Sequence, residues 1–184
     1  MRNLEQHITQ YAAYHRDRRN IATHFVGIPM IVFGVILALV YIRIGSINMG
    51  MVCALVAAIY YLLLDRPLGL AMVFYLLVNL VLASVIALEA STGAGLGLAA
   101  GVFLLGWVIQ FIGHQFEGLK PAFVDDIIGL AIGPLFVMTE LFFMLGAKAP
   151  LKKYVEDRVG PLLAARNGAL IGPASRAHDV SPDA

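Results

Sequence analysis

The sequence predicts an all-α integral membrane protein, a helical bundle of four transmembrane helices with a broken fifth apolar segment and an amphipathic N-terminal helix. Its mean hydropathy is +0.82, and only 14% of its 184 residues are charged. Such values are typical of a protein whose solvent is partly lipid. The net charge is +1 and no basic stripe is present, so we expect no nucleic-acid partner.

The first element is a polar, amphipathic segment of about 25 residues. It lacks the apolar core and cleavage site of a signal peptide, so we expect this end to stay on the cytoplasmic face. Four apolar stretches follow, each close to the about 20 residues that cross a bilayer as a helix. They lie at about residues 26–43, 47–64, 67–89 and 95–113. The links RIGSIN, DRP and ASTGAG are so short that neighbouring spans must be antiparallel.

A fifth apolar stretch, residues 127–146, has Gly133 and Pro134 in its middle and Glu140 six residues later. A proline inside a helix removes a hydrogen bond and clashes with the preceding turn. Irregular backbone at membrane depth must be covered by protein or face a wet cavity. We therefore expect a broken helix pair, either re-entrant or interfacial.

The basic residues set the expected topology through the positive-inside rule. One group precedes the first span and a second follows the fifth stretch, so we expect both termini in the cytoplasm. The groups are Arg2, Arg16, Arg18 and Arg19, and Lys148, Lys152, Lys153 and Arg158. The host membrane is then the bacterial inner membrane, or the endoplasmic reticulum membrane in a eukaryote.

Two polar clusters stand at the ends of apolar spans, YHRDRRNIATHFVGIP at residues 14–29 and QFIGHQFEGLKPAFVDD at residues 110–126. The expected topology brings His15, His24 and His114 to one membrane face. Three imidazoles with a nearby carboxylate suit a transition metal such as iron or zinc. A single histidine at a membrane interface is more often a hydrogen-bonded interfacial group. Three at one edge favour a joint site, with His7 and His178 as bystanders.

Helical spacing adds a condition to this site. Asn20 and His24 are four residues apart, and His114 and Glu117 are three apart, so each pair shares a helix face. His15 and His24 are nine apart, about 180° around a straight helix. Both can point inward only if the chain breaks or bends near HRDRRN.

Two carboxylates have competing interpretations. Glu117 is either part of the site or the partner of Lys120, an i,i+3 pair worth only tenths of a kcal/mol. Glu140 lies in an apolar segment, where a charge costs about 2.5–3.5 kcal/mol at the bilayer centre. It therefore needs a buried partner or has a functional role. Asp125 is a further polar candidate at the membrane.

These residues resemble the Mpo1-like family of small integral membrane proteins. The resemblance rests on Tyr14-His15, Asn20, His24 and Pro29, on WVIQFIGHQFE and KPAFVDD within residues 107–126, and on the GP and Glu of residues 133–140. It covers roughly residues 4–157. It implies an Fe(II)-dependent dioxygenase that uses O2 for the α-oxidation of 2-hydroxy fatty acids and shortens the chain by one carbon.

The resemblance maps the family's essential histidines onto His15, His24 and His114, which would bind the iron. Composition predicts a single catalytic domain at residues 1–159 and a flexible tail, rich in Ala, Gly, Pro and Ser, at 160–184. The chemistry of the neighbouring side chains suggests further roles. Glu117, Asn20 and Gln110 would bind the metal or hydrogen-bond to its ligands. Lys120 or Arg19 would pair with the substrate carboxylate. The acyl chain would lie between spans among the membrane lipids, and a bundle of this size admits a homo-oligomer.

Other classes of function remain open at this point. A small channel or transporter would use Gly133, Pro134 and Glu140 as a broken-helix ion site. A membrane scaffold would carry no chemistry. A hydrolase would use zinc on the same histidines, because ligand type alone does not choose zinc over iron.

Overall fold

The structure is a computed structural model that describes residues 3–118 and 129–163. Within them the chain forms seven helices and one two-stranded hairpin, so the all-α prediction is confirmed apart from two strands of two residues each. The helices are α1 Leu4–Ala13, α2 Arg18–Leu39, α3 Met49–Leu64, α4 Arg66–Glu89, α5 Thr92–Glu117, α6 Gly129–Met144 and α7 Ala149–Val159. Strands β1 Arg43–Ile44 and β2 Ile47–Asn48 are antiparallel and occupy the predicted link RIGSIN.

Helix α1 is the predicted amphipathic N-terminal helix. It begins with a capping box, in which the Asn3 side chain accepts the Gln6 N–H and the Gln6 side chain accepts the Asn3 N–H. One face buries apolar residues, among them Leu4, Ile8 and Ala12. This buried face packs on α6 and α7.

Helices α2, α4 and α5 are long and apolar enough to cross a membrane. Helix α3 is apolar but only 16 residues long, because its predicted first residues belong to β2 and the Asn48 side chain caps the helix by accepting the Met51 N–H. The described part of the chain therefore holds three candidate spans, or up to four if α6 and α7 together form one. The predicted count of four transmembrane helices is not confirmed.

One compact unit comprises residues 26–109. Its helices approach each other closely at glycines. A Cβ at Gly34 would lie 2.9 Å from the Ala99 carbonyl oxygen, which places α2 directly against α5. A Cβ at Gly69 would lie 2.6 Å from the Cα of Leu62, which places α4 against α3. Small residues at helix contacts are typical of membrane helices, since they let backbones approach.

The other compact unit comprises the described residues up to 25 and from 110 onward. It holds the predicted helix break, but at a different place. Helix α6 is continuous through Gly133 and Pro134. The chain instead bends by 112° between α6 and α7, where Gly146 and Lys148 have φ values of +76° and +58°. Residues in the left-handed conformation are common where a helix ends, and Gly146 and Lys148 adopt it after α6.

A short segment after α7, residues 160–163, pairs with the linker between α1 and α2. The Leu163 N–H donates to the Arg16 carbonyl oxygen (2.8 Å), and the Arg18 N–H donates to the Leu163 carbonyl oxygen (3.1 Å). We call residues 160–163 the C-terminal strap. The rest of the predicted tail, residues 164–184, lies outside the described residues, and the single-domain assignment of residues 1–159 stays a prediction.

Candidate metal centre

Three histidines meet in the unit formed by the described residues up to 25 and from 110 onward. His15 comes from the linker between α1 and α2, His24 from the second turn of α2, and His114 from the last turn of α5. One ring nitrogen from each lies within 4.8 Å of the others. All three are buried, with exposed fractions of 0%, 1% and 7%. Among the described residues, these three histidines are the group that could hold a metal ion.

The chain break that the spacing required is present. Helix α1 ends at Ala13 and α2 begins at Arg18, so His15 lies on non-helical backbone. The turn of the chain there brings Nε2 of His15 to 2.9 Å from Nε2 of His24. The predicted bend near HRDRRN is confirmed.

The backbone fixes which nitrogen of these two rings carries the proton. Nδ1 of His15 lies 2.7 Å from the carbonyl oxygen of Tyr11, and Nδ1 of His24 lies 2.8 Å from that of Asn20. A carbonyl oxygen can only accept, so each Nδ1 donates and each Nε2 presents a lone pair in the neutral ring. Burial lowers the pKa of His15 well below its usual value, and the neighbouring His24 and His114 lower it further.

Aromatic rings cover the histidines on the α1 and α6 side. The Tyr11 ring stacks on His15 with centroids 4.3 Å apart and an angle of 4° between the planes. The Phe136 ring of α6 lies 5.4 Å from the same imidazole. The imidazole of His114 lies 5.0 Å from that of His15 and 5.1 Å from that of His24. This packing excludes water from one side of the histidine cluster.

Glu117 holds the linker that carries His15. Its carboxylate accepts the backbone N–H groups of Arg16 (3.1 Å) and Asp17 (2.8 Å) and the Asn20 side-chain amide (3.2 Å). Asn20 thus touches the site twice, since its carbonyl oxygen also accepts from His24. Both residues were predicted to bind the metal or to hydrogen-bond to its ligands, and these roles stay predictions. Asn20 contacts His24 through its backbone carbonyl oxygen, whereas Glu117 contacts the backbone after His15 and the Asn20 amide. Lys120, the alternative partner of Glu117, lies outside the described residues, as does Asp125.

Of the other predicted site residues, Gln110 is buried and Arg19 is partly exposed. Gln110 is buried one turn before His114, and its Oε1 has no hydrogen-bond partner. Arg19 forms a two-point ion pair with Asp17, with Nη2 2.8 Å from Oδ2 and Nε 3.1 Å from Oδ1, and its guanidinium lies 4.7 Å from the centroid of the Phe116 ring. Its side chain is 46% exposed.

Glu140 has the buried partner that its apolar setting requires. Nη2 of Arg16 lies 3.9 Å from Oε1 of Glu140, and both side chains are almost fully buried. Arg16 was not predicted as a site residue, because the positive-inside rule counts arginines without regard to burial. Its position next to His15 and the need of Glu140 for a partner were the available signals. Burial lowers the pKa of Arg16, against the effect of the Glu140 and Glu117 carboxylates.

The arrangement fits a metal ion. Two neutral imidazoles whose Nε2 lone pairs face each other at 2.9 Å repel, and a cation held by both nitrogens removes that repulsion. A metal-bound histidine usually donates its other N–H to a carbonyl or carboxylate, as His15 and His24 do here. Neutral imidazoles suit iron, zinc, copper and nickel.

Comparison with known proteins finds a matching family and a matching yeast protein, but no matching solved structure. The family model described as 2-hydroxy-palmitic acid dioxygenase Mpo1-like matches residues 1–145. The 2-hydroxy-palmitic acid dioxygenase MPO1 of Saccharomyces cerevisiae is 33% identical over 158 residues, which are 84% of this chain and 88% of the yeast protein. No solved structure matches the chain. The three buried histidines all lie within the residues matched by the family model.

Proposed function

The chain belongs to the Mpo1-like family, and from that premise we propose that it is an Fe(II)-dependent dioxygenase that performs the α-oxidation of 2-hydroxy fatty acids. The C1–C2 bond of the substrate breaks and the chain becomes one carbon shorter. With one O2 as oxidant, the reaction balances to a shorter fatty acid, CO2 and water.

One observation carries the metal-dependent part of this proposal. Two buried imidazoles, each with Nδ1–H donated to a carbonyl, direct their Nε2 lone pairs at each other across 2.9 Å, and His114 adds a third ring nitrogen within 4.8 Å. A purely structural histidine cluster would place a hydrogen bond between such nitrogens. These nitrogens have the arrangement expected of ligands that share a cation.

The residues around the centre have separable roles in this proposal. His15, His24 and His114 hold the metal, and iron(II) there would supply the activation of O2. Tyr11 and Phe136 cover His15 and keep water from one side of the centre. With three protein ligands, an iron ion would have room for the substrate and O2, as is common in non-heme iron oxygenases.

We place the centre at the cytoplasmic side of the membrane. The support is the positive-inside rule, since Arg16, Arg18 and Arg19 flank the site and Lys152 and Lys153 follow α6. Fatty substrates would reach the centre from the surrounding lipid. A homo-oligomer is compatible with this placement.

Metal analysis tests the proposal directly. The protein is purified without oxygen in detergent, supplied with iron(II) and passed through a desalting column, beside the His114→Ala variant and the His7→Ala control. His7 lies on α1 outside the histidine cluster. We expect about one iron per chain in the wild type and in the control, and little in the His114 variant. Oxygen uptake with 2-hydroxypalmitate, and none with palmitate, would then establish the reaction.

Other results would favour other functions. Stoichiometric zinc that iron does not replace would keep the metal centre and indicate a hydrolase. An absence of stoichiometric metal in all three proteins would contradict the dioxygenase proposal. The channel alternative has less support, because its broken-helix site required an interruption at Gly133 and Pro134 and α6 is continuous there.

A further inference from the structure

An open cavity of about 410 Å³ lies in the same compact unit as the histidine cluster, and Arg16, the residue after His15, is among its lining residues. The first turns of α2, the end of α6, and α7 with the C-terminal strap form its walls, and we call it the α2–α6–α7 groove. Its walls are mostly apolar, with Ile21, Phe25, Phe143, Val155 and Leu162 among the lining residues. Its volume falls in the range of about 300–1,000 Å³ that is usual for small-molecule sites.

Helix α6 places one end of this groove near the metal centre. Phe136 contacts the His15 ring, Glu140 lies one turn later beside Arg16, and Phe143 lines the groove almost one turn beyond that. Four helical residues advance by about 6 Å, so the Arg16–Glu140 pair stands one turn from the ring that faces the histidines. A molecule in the groove can therefore place one end at the Arg16–Glu140 pair, in which Arg16 is next in sequence to His15.

Arg16 and Glu140 are the polar residues at that end of the groove, and Arg16 supplies the donors. Its Nε donates to the His15 carbonyl oxygen (3.0 Å) and its Nη1 to the Gly160 carbonyl oxygen (2.6 Å). Nη2 lies 3.9 Å from Oε1 of Glu140, which is beyond hydrogen-bond distance. The guanidinium is thus fixed on two sides, and the N–H groups of Nη2 can donate to an oxygen of a ligand.

The lining of the groove has one more cation than carboxylates, so it can accept one anionic head group. The lining includes three cations and two carboxylates, which are Arg16, Arg18, Lys152, Glu140 and Glu156. Nε and Nη1 of the buried guanidinium already donate to carbonyl oxygens, so the N–H groups of Nη2 are the ones that can donate to a carboxylate. An apolar wall with these donors at one end matches a molecule that has an alkyl chain and a carboxylate.

We infer that the α2–α6–α7 groove binds the long alkyl chain of a fatty acid, with the carboxylate end at Arg16 beside the metal centre. The identity of that fatty acid as the substrate rests on the proposed function. The groove itself, as a site for long-chain carboxylates, depends only on the side chains that line it.

Photolabelling of metal-free protein tests the groove without any catalysis. The protein is reconstituted in lipid nanodiscs with palmitic acid that carries a diazirine in its chain, irradiated, and mapped by peptide mass spectrometry. We expect label on peptides containing Phe143 or Val155, and competition by unlabelled palmitic acid. Ala22→Phe, which places a ring in the groove, should reduce this label about tenfold. Val85→Phe adds a ring at an exposed site on α4 and should change nothing.

Kinetics of the iron-loaded enzyme provide the second measurement. In Ala22→Phe we expect KM for 2-hydroxypalmitate to rise about tenfold, because the long chain loses part of its groove. KM for 2-hydroxyoctanoate and the iron content should stay at wild-type values. Val85→Phe should leave all three quantities unchanged.

The outcomes separate the two proposals. Saturable label that Ala22→Phe removes, in a protein that takes up no iron, would support the groove and contradict the dioxygenase. Label that unlabelled palmitic acid does not displace, or that Ala22→Phe and Val85→Phe affect equally, would overturn the groove whatever the iron content.

Discussion

Nε2 of His15 lies 2.9 Å from Nε2 of His24, although nine residues separate them in the chain. On one straight helix they would lie on opposite faces. The contact exists because residues 14–17 are not helical and turn the chain between α1 and α2. The geometry of the centre therefore depends on whatever holds this linker in place, and Glu117 and the C-terminal strap both do so.

Glu117→Gln should loosen the linker and weaken metal binding. The carboxylate accepts two backbone N–H groups and the Asn20 amide, and an amide cannot accept all three equally well. Hydrogen bonds to charged groups contribute about 1.5–3 kcal/mol each, so we expect the free energy of unfolding to fall by about 1–3 kcal/mol. Iron affinity, measured by competition with a chelator, should fall about 10–100-fold. Glu5→Gln, at an exposed site on α1, is the matched control, and equal affinity in the two variants would contradict this role of Glu117.

Gly113→Ala should displace His114 by widening the contact between α5 and α2. A Cβ at position 113 would collide with Oγ1 of Thr23 and lie 2.6 Å from Oδ1 of Asn20. Overpacking of this kind costs about 1–3 kcal/mol. We expect a lower melting temperature and a lower iron content. Gly97→Ala lies on the same helix with open space around it, so it should keep wild-type iron content. Wild-type iron in both variants would show that the close contact at Gly113 does not position His114.

The histidine cluster could be predicted because its signals are local. Polar residues are rare in this chain, and helical spacing alone required a break between His15 and His24. The contacts of Glu117 could not be predicted in the same way, since they join residues about one hundred positions apart, whereas Lys120 offered a partner three positions away. The pair with Lys120 stays a prediction, because Lys120 lies outside the residues that the structure describes.

The structure differs from the sequence prediction at two helix boundaries, and the physical cause of each is not visible in the hydropathy pattern. The helix break was expected at Gly133 and Pro134, but one proline is tolerated within α6 while the left-handed conformations at Gly146 and Lys148 end it. The second span was expected to begin at about residue 47, but Asn48 caps α3 and the residues before it pair as a hairpin. Hydropathy reports apolar length and does not report where a helix is capped.

Arg16→Gln and Arg19→Gln should affect catalysis differently, although Arg16 lies just before α2 and Arg19 lies in its first turn. Arg16 is buried at the end of the groove, whereas Arg19 is half exposed and paired with Asp17. Exposed ion pairs contribute about 0–1 kcal/mol, so Arg19→Gln should change KM for 2-hydroxypalmitate less than about threefold. Arg16→Gln should raise KM about tenfold or more. Steady-state oxygen uptake measures both, with melting temperatures as the control for folding. If Arg19→Gln raises KM more than Arg16→Gln does, the substrate carboxylate contacts Arg19, one of the two residues that the sequence predicted for this role.

Truncation of the chain should separate the C-terminal strap from the residues beyond it. A protein that ends at Val159 loses the Gly160 carbonyl oxygen that accepts from Arg16, together with both backbone hydrogen bonds between Leu163 and the His15 linker. A protein that ends at Leu163 keeps all three contacts. Each hydrogen bond contributes about 0.5–1.5 kcal/mol net, so the free energy of unfolding of the shorter protein should be lower by about 2–4 kcal/mol. Its iron affinity should also fall, because the backbone next to His15 loses its partner strand.

The comparison is made on iron-loaded protein in detergent, by thermal unfolding and by competition with a chelator. We expect the chain that ends at Leu163 to match the full-length protein in both measurements. The chain that ends at Val159 should have a lower melting temperature and a lower iron affinity. If the two truncated proteins behave alike, the strap does not hold the linker. The contacts of Glu117 on the same backbone would then be the ones that keep His15 facing His24.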